Sequence, residues 1–219
     1  MNAVVLVHGL WLPGSETFLL RKRLRKAGFS PSQYSYRSVS EDLTRNAARL
    51  AEFLRHVEGD TVHLVGHSLG GVVMLNMLER HAPERIGRLV CLASPLRGSS
   101  VAHSIARFPG GAQILGKSIA DLQAGRSTAR WSGEQDLGII AGDFPLGAGQ
   151  WLGRLPSPHD GTVAVEETKL EGATDHLVLP VSHLAMLWSR DVLDQVVSFL
   201  RAGHFQREGG PRRDRASGG

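Results

Sequence analysis

The chain lacks the features that would mark a disulfide-stabilised or membrane-spanning protein. A single cysteine, Cys91, among 219 residues excludes an internal disulfide, and the apolar run around it predicts a small buried core residue. No apolar run approaches the ~20 residues that span a bilayer. The segment from Met1 carries neither a basic stretch nor a cleavage site. We therefore expect a cytoplasmic protein with no signal peptide and no stable membrane insertion.

The chain carries little net positive charge outside its C-terminal end. The isoelectric point near 9.7 would suit a nucleic-acid partner. However, the formal net charge is only +4, and most of it falls from Arg201 onward, where five arginines meet two acids. Because this end is also rich in glycine and has no hydrophobic periodicity, residues 203–219 are predicted to form a disordered tail. A nucleic-acid partner is not expected.

What the chain does have is a regular alternation of strand-like and helix-like segments. Its length and its hydrophobic fraction of 42% predict a single domain over residues 1–202. Apolar, β-branched runs predict strands at 2–7, 33–36, 61–65, 88–93, 137–141 and 175–179. Central strands that are apolar throughout are typical of a parallel sheet with helices on both faces, an α/β fold.

Two helices and one insertion between these strands can be described from the pattern. A helix over 16–26 is predicted to turn Phe18, Leu19 and Leu24 inward, and Ser40 is the predicted cap of the next helix. Residues 96–135 have a weak helical pattern that several glycines interrupt. Because long insertions after strands often carry binding loops, this segment is a candidate lid.

One motif predicts chemistry. Residues 66–70 read Gly66-His67-Ser68-Leu69-Gly70, between a β-rich run and a helix-forming run. This G-x-S-x-G pattern is typical of a nucleophile elbow, in which a serine occupies a strained strand-to-helix turn. Glycine on either side removes the Cβ atoms that would collide in so tight a turn. We therefore expect Ser68 to be a catalytic nucleophile.

A serine nucleophile needs a base, and the base needs an acid that fixes its tautomer. In elbow-bearing hydrolases the acid and then the histidine follow the serine along the chain. Of the downstream histidines His159, His176, His183 and His204, His183 is placed best, because it follows the last predicted strand and precedes the last helix. It is the predicted base.

Two aspartates compete for the role of acid. Asp143 follows the fifth predicted strand directly, whereas Asp160 begins a tight Asp-Gly turn before a short apolar run. Position favours the first and turn chemistry favours the second, so the residues alone leave both open.

The oxyanion of a tetrahedral intermediate needs backbone donors. Leu69 supplies one N–H directly after the nucleophile, and Leu10, after Gly9 in the loop that follows the first strand, supplies the other. Leu10, Trp11, Leu69 and part of 96–135 are expected to line the substrate pocket. His8 and His67 lie in packed turns and are interpreted as structural.

Together these residues resemble the α/β-hydrolase family, and within it small bacterial lipases and esterases of the lipase class 2 and GPI inositol-deacylase-like group. The resemblance rests on four segments: the oxyanion strand and loop at 5–10, the elbow at 66–71, Pro-x-x-Gly-Ser at 95–99, and Asp-Gly-x-Val at 160–163. It implies a minimal fold with a six-stranded, mainly parallel sheet. It also implies that Asp160 is the acid, with Asp143 as the alternative.

The resemblance implies a serine hydrolase that cleaves small-molecule or lipid carboxylic esters through an acyl-enzyme. No metal or cofactor is expected, since no carboxylate cluster has the spacing of the structural calcium site found in some relatives. Two alternatives remain open: an acyl thioesterase or acyltransferase with the same triad, and a non-catalytic binding protein on the same scaffold. Acyl length, alcohol group and oligomeric state are left undetermined.

Overall fold

Six strands form one sheet in the order β2-β1-β3-β4-β5-β6. The computed structural model describes residues 2–81, 83–123, 131, 133–147 and 155–207. Its strands are β1 Asn2–Val7, β2 Ser30–Tyr34, β3 Thr61–His67, β4 Ile86–Leu92, β5 Leu137–Gly142 and β6 Asp175–Leu179. Every neighbouring pair is parallel, which confirms the predicted six-stranded α/β fold.

Seven α-helices lie among the described residues: α1 Phe18–Lys26, α2 Leu43–Arg55, α3 Leu69–His81, α4 Ser100–Ala106, α5 Gly111–Gln123, α6 Val165–Thr168 and α7 Arg190–Ala202. The cap of α2 is Asp42, whose side chain accepts a hydrogen bond from the backbone N–H of Arg45, so the predicted cap at Ser40 is wrong. The carboxylate of Asp42 satisfies an N–H that has no partner within the helix.

The face of α1 also differs from the prediction. Phe18 and Leu19 are 56% and 40% exposed, whereas Leu20 and Leu24 are buried. Residues four apart lie on the same face of a helix, and here that face packs on the sheet. The inward assignment of Leu24 is therefore confirmed, and that of Phe18 and Leu19 is wrong.

The core forms two layers, one on each side of the sheet. Alternate residues of a strand point to opposite faces, and in β1 Val5 and Val7 join one cluster while Val4 and Leu6 join the other. Helices α2, α3 and α5 cover the first face, and α1 and α7 cover the second. Cys91 is fully buried on the first face, as predicted.

The C-terminal end of the body extends beyond the predicted boundary. Phe205 is buried in the second cluster, and its backbone N–H donates to Asp175 at 2.8 Å. The guanidinium of Arg207 pairs with the same carboxylate. Residues 203–207 thus pack on the body, and the prediction that the tail begins at 203 is wrong; residues 208–219 lie outside the described part of the chain.

The strand order also determines where a site can form. The chain runs from β1 to β2 on one side and then returns to place β3 on the other side of β1. This reversal leaves a crevice at the carboxyl ends of β1 and β3, where ligands bind in open parallel sheets. Within the described residues, no helix is both long enough and apolar enough to cross a membrane.

Candidate active site

Ser68 occupies the turn between β3 and α3 with a strained backbone. Its φ of 53° lies in the left-handed region, which residues other than glycine seldom adopt. Its N–H donates to the carbonyl oxygen of Leu92 at 2.8 Å, and its own carbonyl accepts from Gly71 at 3.1 Å. Ser68 is partly exposed, whereas His67 and Leu69 beside it are buried. The turn therefore presents the serine at the surface of the crevice.

The glycines of the motif are required by close backbone contacts. A Cβ atom on Gly66 would lie 2.6 Å from the Cα of Gly71, across the turn. A Cβ on Gly70 would collide with the carbonyl oxygen of Val7 at the end of β1. Gly70 therefore lets α3 start directly against β1, so that the elbow and the loop after β1 lie side by side.

His183 and Asp160 form a buried hydrogen-bonded pair. The Nδ1–H of His183 donates to Oδ2 of Asp160 at 2.7 Å, and the backbone N–H of His183 donates to the backbone carbonyl of Asp160 at 3.0 Å. The first bond places the proton of a neutral imidazole on Nδ1, which leaves the lone pair on Nε2. A histidine in this tautomer can accept a proton at Nε2.

The carboxylate of Asp160 is held by the turn that it begins. It is 1% exposed, and its Oδ1 accepts the backbone N–H groups of Thr162 at 2.8 Å and Val163 at 2.7 Å. Gly161, with a φ of 94°, completes the turn. Asp143, the alternative acid, is exposed at the end of β5, where its backbone N–H donates to Leu179. The structure thus brings Asp160, and not Asp143, to His183.

His67 joins this pair to the elbow. Its Nε2–H donates to the backbone carbonyl of His183 at 3.2 Å, and the two imidazole rings lie 4.8 Å apart between centroids. Burial, together with repulsion from His183 when that imidazole is protonated, lowers the pKa of His67 to about 3. A neutral, buried His67, the residue directly before Ser68, thus connects the elbow to the loop of His183.

The other downstream histidines are engaged elsewhere. Nε2 of His176 hydrogen-bonds the hydroxyl of Thr168 at 2.9 Å, and Nδ1 of His159 accepts the backbone N–H of Gly161 at 3.1 Å. His204 is exposed beyond α7. None of them is hydrogen-bonded to the aspartate that holds His183.

The loop after β1 passes directly over the serine. A Cβ atom on Gly9 would lie 3.2 Å from the Cβ of Ser68, so the peptide that joins Gly9 to Leu10 runs close to the nucleophile. Leu10 is half-buried against the core, and Leu69 is the first residue of α3. The N–H of Leu69 belongs to the free N-terminal turn of a helix, where the helix dipole favours negative charge.

Tyr36 fixes the start of this loop, a role that the sequence did not reveal. Nε2 of His8 accepts the backbone N–H of Tyr36 at 3.2 Å, and the tyrosine hydroxyl donates to the carbonyl of His8 at 3.0 Å. The two rings are stacked with their centroids 4.4 Å apart. Burial lowers the pKa of His8, so this histidine is a neutral structural group, in line with its sequence interpretation.

Trp11 lies at the rim of the crevice rather than in an enclosed pocket. Its side chain is 55% exposed, and its indole N–H donates to the backbone carbonyl of Ile114 in α5 at 3.0 Å. Its backbone N–H donates to the hydroxyl of Ser38 at 3.4 Å. Trp11 thus connects the loop after β1 to the insertion at 96–135, of which residues 124–130 and 132 lie outside the described chain.

Glu167 is a second residue that the sequence analysis missed. Its Oε1 accepts both the backbone N–H and the hydroxyl of Ser100 at 2.6 Å, and its Oε2 accepts the backbone N–H of Ala164 at 2.9 Å. The carboxylate thus joins the start of α4 to the segment that follows Asp160. Nothing in the spacing separates Glu167 from the exposed Glu166 beside it, so only its tertiary contacts distinguish it.

The described part of the chain contains no set of side chains that could bind a metal ion. There, no group of three or more histidine, cysteine, aspartate or glutamate side chains could hold a metal ion. The buried carboxylate of Asp160 is instead engaged by His183 and by two backbone N–H groups.

A comparison with known protein families identifies the family to which the chain belongs. The model of the alpha/beta hydrolase family matches residues 4–213, nearly the whole chain. The chain belongs to the alpha/beta hydrolase family. Among solved structures of this fold, a lipase of Bacillus licheniformis in its mature form has a TM-score of 0.76 at 22% identity, with 92% of this chain and 91% of that chain covered.

Two esterases are also similar to this alpha/beta hydrolase. A thermophilic esterase from Thermogutta terrifontis, with malate bound, has a TM-score of 0.67 at 17% identity and covers 93% of this chain and 91% of its own. An esterase from Exiguobacterium antarcticum has a TM-score of 0.64 at 15% identity, with 92% of each chain covered. No curated protein sequence matches the chain significantly. At these identities the likeness establishes the fold.

Proposed function

We propose that this alpha/beta hydrolase cleaves carboxylic esters through a covalent acyl-enzyme, with Ser68 as nucleophile, His183 as general base and acid, and Asp160 as the acid that orients it. The observation that carries the proposal is the buried hydrogen bond from His183 Nδ1 to Asp160, at 2.7 Å, beside a strained serine elbow. Lipases and esterases among the structures of the same fold support ester substrates.

In the first half of the reaction, Ser68 Oγ attacks the ester carbonyl carbon while Nε2 of His183 takes the hydroxyl proton. The carbonyl oxygen becomes an oxyanion, which the N–H groups of Leu10 and Leu69 stabilise. The tetrahedral intermediate then collapses, its C–O bond to the alcohol breaks, and His183 gives its proton to the departing alkoxide. The acyl group stays on Ser68 as an ester.

In the second half, His183 takes a proton from water as the water oxygen attacks the acyl-enzyme. A second oxyanion forms and collapses, and His183 returns the proton to Ser68 Oγ while the carboxylic acid leaves. Asp160 stays ionised throughout and stabilises the imidazolium of His183 in both halves. Two backbone N–H donors to Oδ1 keep its carboxylate in place for this role.

The insertion at 96–135 is proposed as the cap over the acyl site of a single domain, whose body extends past the predicted residue 202 to residue 207. The carboxylate of Glu167 binds the start of α4 and so joins this helix to the segment that follows Asp160. The indole of Trp11 joins α5 to the loop after β1. Leu69 of α3 and Leu115 and Ile119 of α5 belong to the same apolar cluster, on the first face of the sheet. These contacts support a cap that is attached to the loops around the elbow.

The test is hydrolysis of p-nitrophenyl butyrate together with covalent labelling by a fluorophosphonate. Ser68→Ala is expected to lower kcat by at least about 10⁴-fold and to abolish labelling, whereas the exposed-serine control Ser15→Ala keeps both. An Ser68→Ala enzyme that turns over the ester at a near-normal rate would overturn the proposal. Labelling of Ser68 without ester turnover would show an activated serine whose substrate is an acyl compound other than this ester.

The same triad suits an acyl thioesterase or acyltransferase. Acyl-CoA turnover that exceeds p-nitrophenyl ester turnover in kcat/KM would favour that function, since the leaving group is then a thiol. A non-catalytic binding protein would neither label with the probe nor turn over either substrate. A cytoplasmic location also stays part of the proposal, and cell fractionation tests it.

A further inference from the structure

Trp11 adopts a backbone conformation that a bulky residue seldom takes. The N–H of Leu12 donates to the carbonyl of Gly9 at 3.4 Å, which closes a four-residue turn with Leu10 and Trp11 in the middle. Trp11 has a φ of 60°, while that of Leu10 is not positive. This combination is typical of a type II turn, whose third residue is usually glycine because of its positive φ. Contacts outside the turn must therefore hold Trp11 in it.

A break in α5 supplies one of these contacts. Gly116 has a φ of 78° and a ψ of −179°, which interrupts the helix. The carbonyl of Ile114, in the last turn before the break, is therefore free to accept the indole N–H of Trp11. On the other side of the break, the N–H of Lys117 donates to the carbonyl of Val39 at 3.0 Å.

The break is held against the neighbouring loop by more than these two bonds. A Cβ atom on Gly116 would collide with the backbone of Val39, so only glycine allows this approach. The hydroxyl of Ser118 donates to the carbonyl of Glu41 at 2.8 Å and accepts from Asn46 at 3.0 Å. The carbonyl of Ile114 thus sits on a fixed part of the molecule, and it is a rigid anchor for the indole.

We propose that Trp11 is a positioning residue for the oxyanion hole: its hydrogen bond to Ile114 at the break in α5 holds the Gly9–Leu12 turn so that the N–H of Leu10 faces the substrate oxyanion. This inference rests on the proposed function. This role differs from a substrate contact, because the indole N–H donates to a backbone carbonyl of the enzyme itself. The cap segment therefore determines the geometry of the catalytic loop as well as covering the site.

The test uses Trp11→Phe in the full chain, since phenylalanine keeps an aromatic ring but loses the N–H. Removing an oxyanion donor costs about 10²–10³-fold and a displacement of ~1 Å about 10²-fold, so kcat should fall by about 10- to 100-fold. The loss should be equal for p-nitrophenyl acetate and octanoate, with KM little changed. Affinity for a trifluoromethyl ketone, which forms an oxyanion on the serine, should fall in parallel.

Two further variants keep the test decisive. Trp188→Phe alters another half-exposed tryptophan, 53% accessible, and is expected to behave as wild type. Trp11→Gly removes the indole but favours the positive φ, so the turn can form without the anchor, and this variant should keep more kcat than Trp11→Phe. If Trp11→Phe fails to fold, Trp11→Leu, which also lacks an N–H, replaces it. Because the bond lies at the surface, the melting temperature of Trp11→Phe should change little.

Three results would overturn the inference. Wild-type kcat in Trp11→Phe, or in Trp11→Leu where it replaces that variant, would show that the anchor is not needed, and so would wild-type affinity for the ketone. A loss confined to KM that grows with acyl length would make Trp11 a substrate contact instead. If Ser68→Ala is inactive while Trp11→Phe is unaffected, only this inference fails, whereas an active Ser68→Ala enzyme removes the proposed function itself.

Discussion

Replacing Asp160 with asparagine tests the site at its most constrained position. Oδ1 of Asp160 accepts two backbone N–H groups, from Thr162 and Val163, and Oδ2 accepts Nδ1–H of His183. In Asp160→Asn the amide oxygen should remain on the two backbone donors, which turns the NH₂ group toward His183. The imidazole must then accept at Nδ1 and carry its proton on Nε2, where it cannot take the proton of Ser68.

The expected loss of activity follows from the energy that the opposite orientation of the amide would cost. Turning the oxygen toward His183 would restore the working tautomer but leave the two backbone N–H groups without an acceptor. Each unsatisfied buried group costs about 1–3 kcal/mol, so the working form is disfavoured by about 2–6 kcal/mol, or about 30- to 10⁴-fold. The lost carboxylate charge adds to this, and we expect kcat/KM to fall by about 10³- to 10⁴-fold.

The assay is kcat/KM for p-nitrophenyl butyrate, measured for Asp160→Asn and for the matched variant Asp143→Asn. The exposed Asp143 should tolerate the change with less than about a twofold effect, since surface substitutions seldom perturb a protein. An Asp160→Asn enzyme within tenfold of wild type would refute the tautomer argument. An equal loss in Asp143→Asn would return the role of acid to that residue.

Two predictions concern stability. Gly70→Ala places a Cβ against backbone atoms of Val7 and His8, so the free energy of unfolding should fall by about 3 kcal/mol or more, a drop of roughly 6–12 °C in Tm. In Gly28→Ala the added Cβ meets no atom within 4 Å, so that variant loses only about 1–2 kcal/mol from the strain of a positive φ. A loss in Gly70→Ala no larger than that in Gly28→Ala would contradict the prediction. The buried His67 has a folded pKa of about 3 against 6.5 when unfolded, so the unfolded state takes up the proton first and stability is lost as pH falls from 6.5 toward 3. This residue changes the free energy of unfolding by up to about 1.4 kcal/mol per pH unit. Urea unfolding at pH 7 and pH 5 should therefore show a smaller loss of stability in His67→Gln than in the wild type. An equal loss in both proteins would contradict the lowered pKa of His67.

Short-range features of the fold could be predicted from local pattern. The buried strands β1 and β3 follow from continuous apolar runs, and the glycines of the elbow anticipate a turn in which a Cβ has no room. The face of α1 could not be predicted equally well, because Phe18 and Leu19 are as apolar as the buried Leu20. Which of them faces inward depends on the register of the helix against the sheet.

The packed segment 203–207 shows the same limit. Its sequence is mostly polar and shows no apolar pattern, yet Phe205 and Arg207 both bind Asp175 at the start of β6. One aromatic residue in a polar stretch gives no periodicity to detect. The contact exists only because α7 returns the chain to the edge of the sheet.

The sequence by itself determined the elbow at Ser68 and the order of the candidate residues along the chain, because the strand, the turn glycines and the helix around Ser68 are encoded within a dozen neighbouring residues. Only the tertiary structure decided that Asp160 rather than Asp143 reaches His183, and that Trp11 and Glu167 connect the insertion to the catalytic loops. These contacts join residues that lie 23 to 103 positions apart. Their partners are set by the strand order and by a broken helix, neither of which leaves a local pattern.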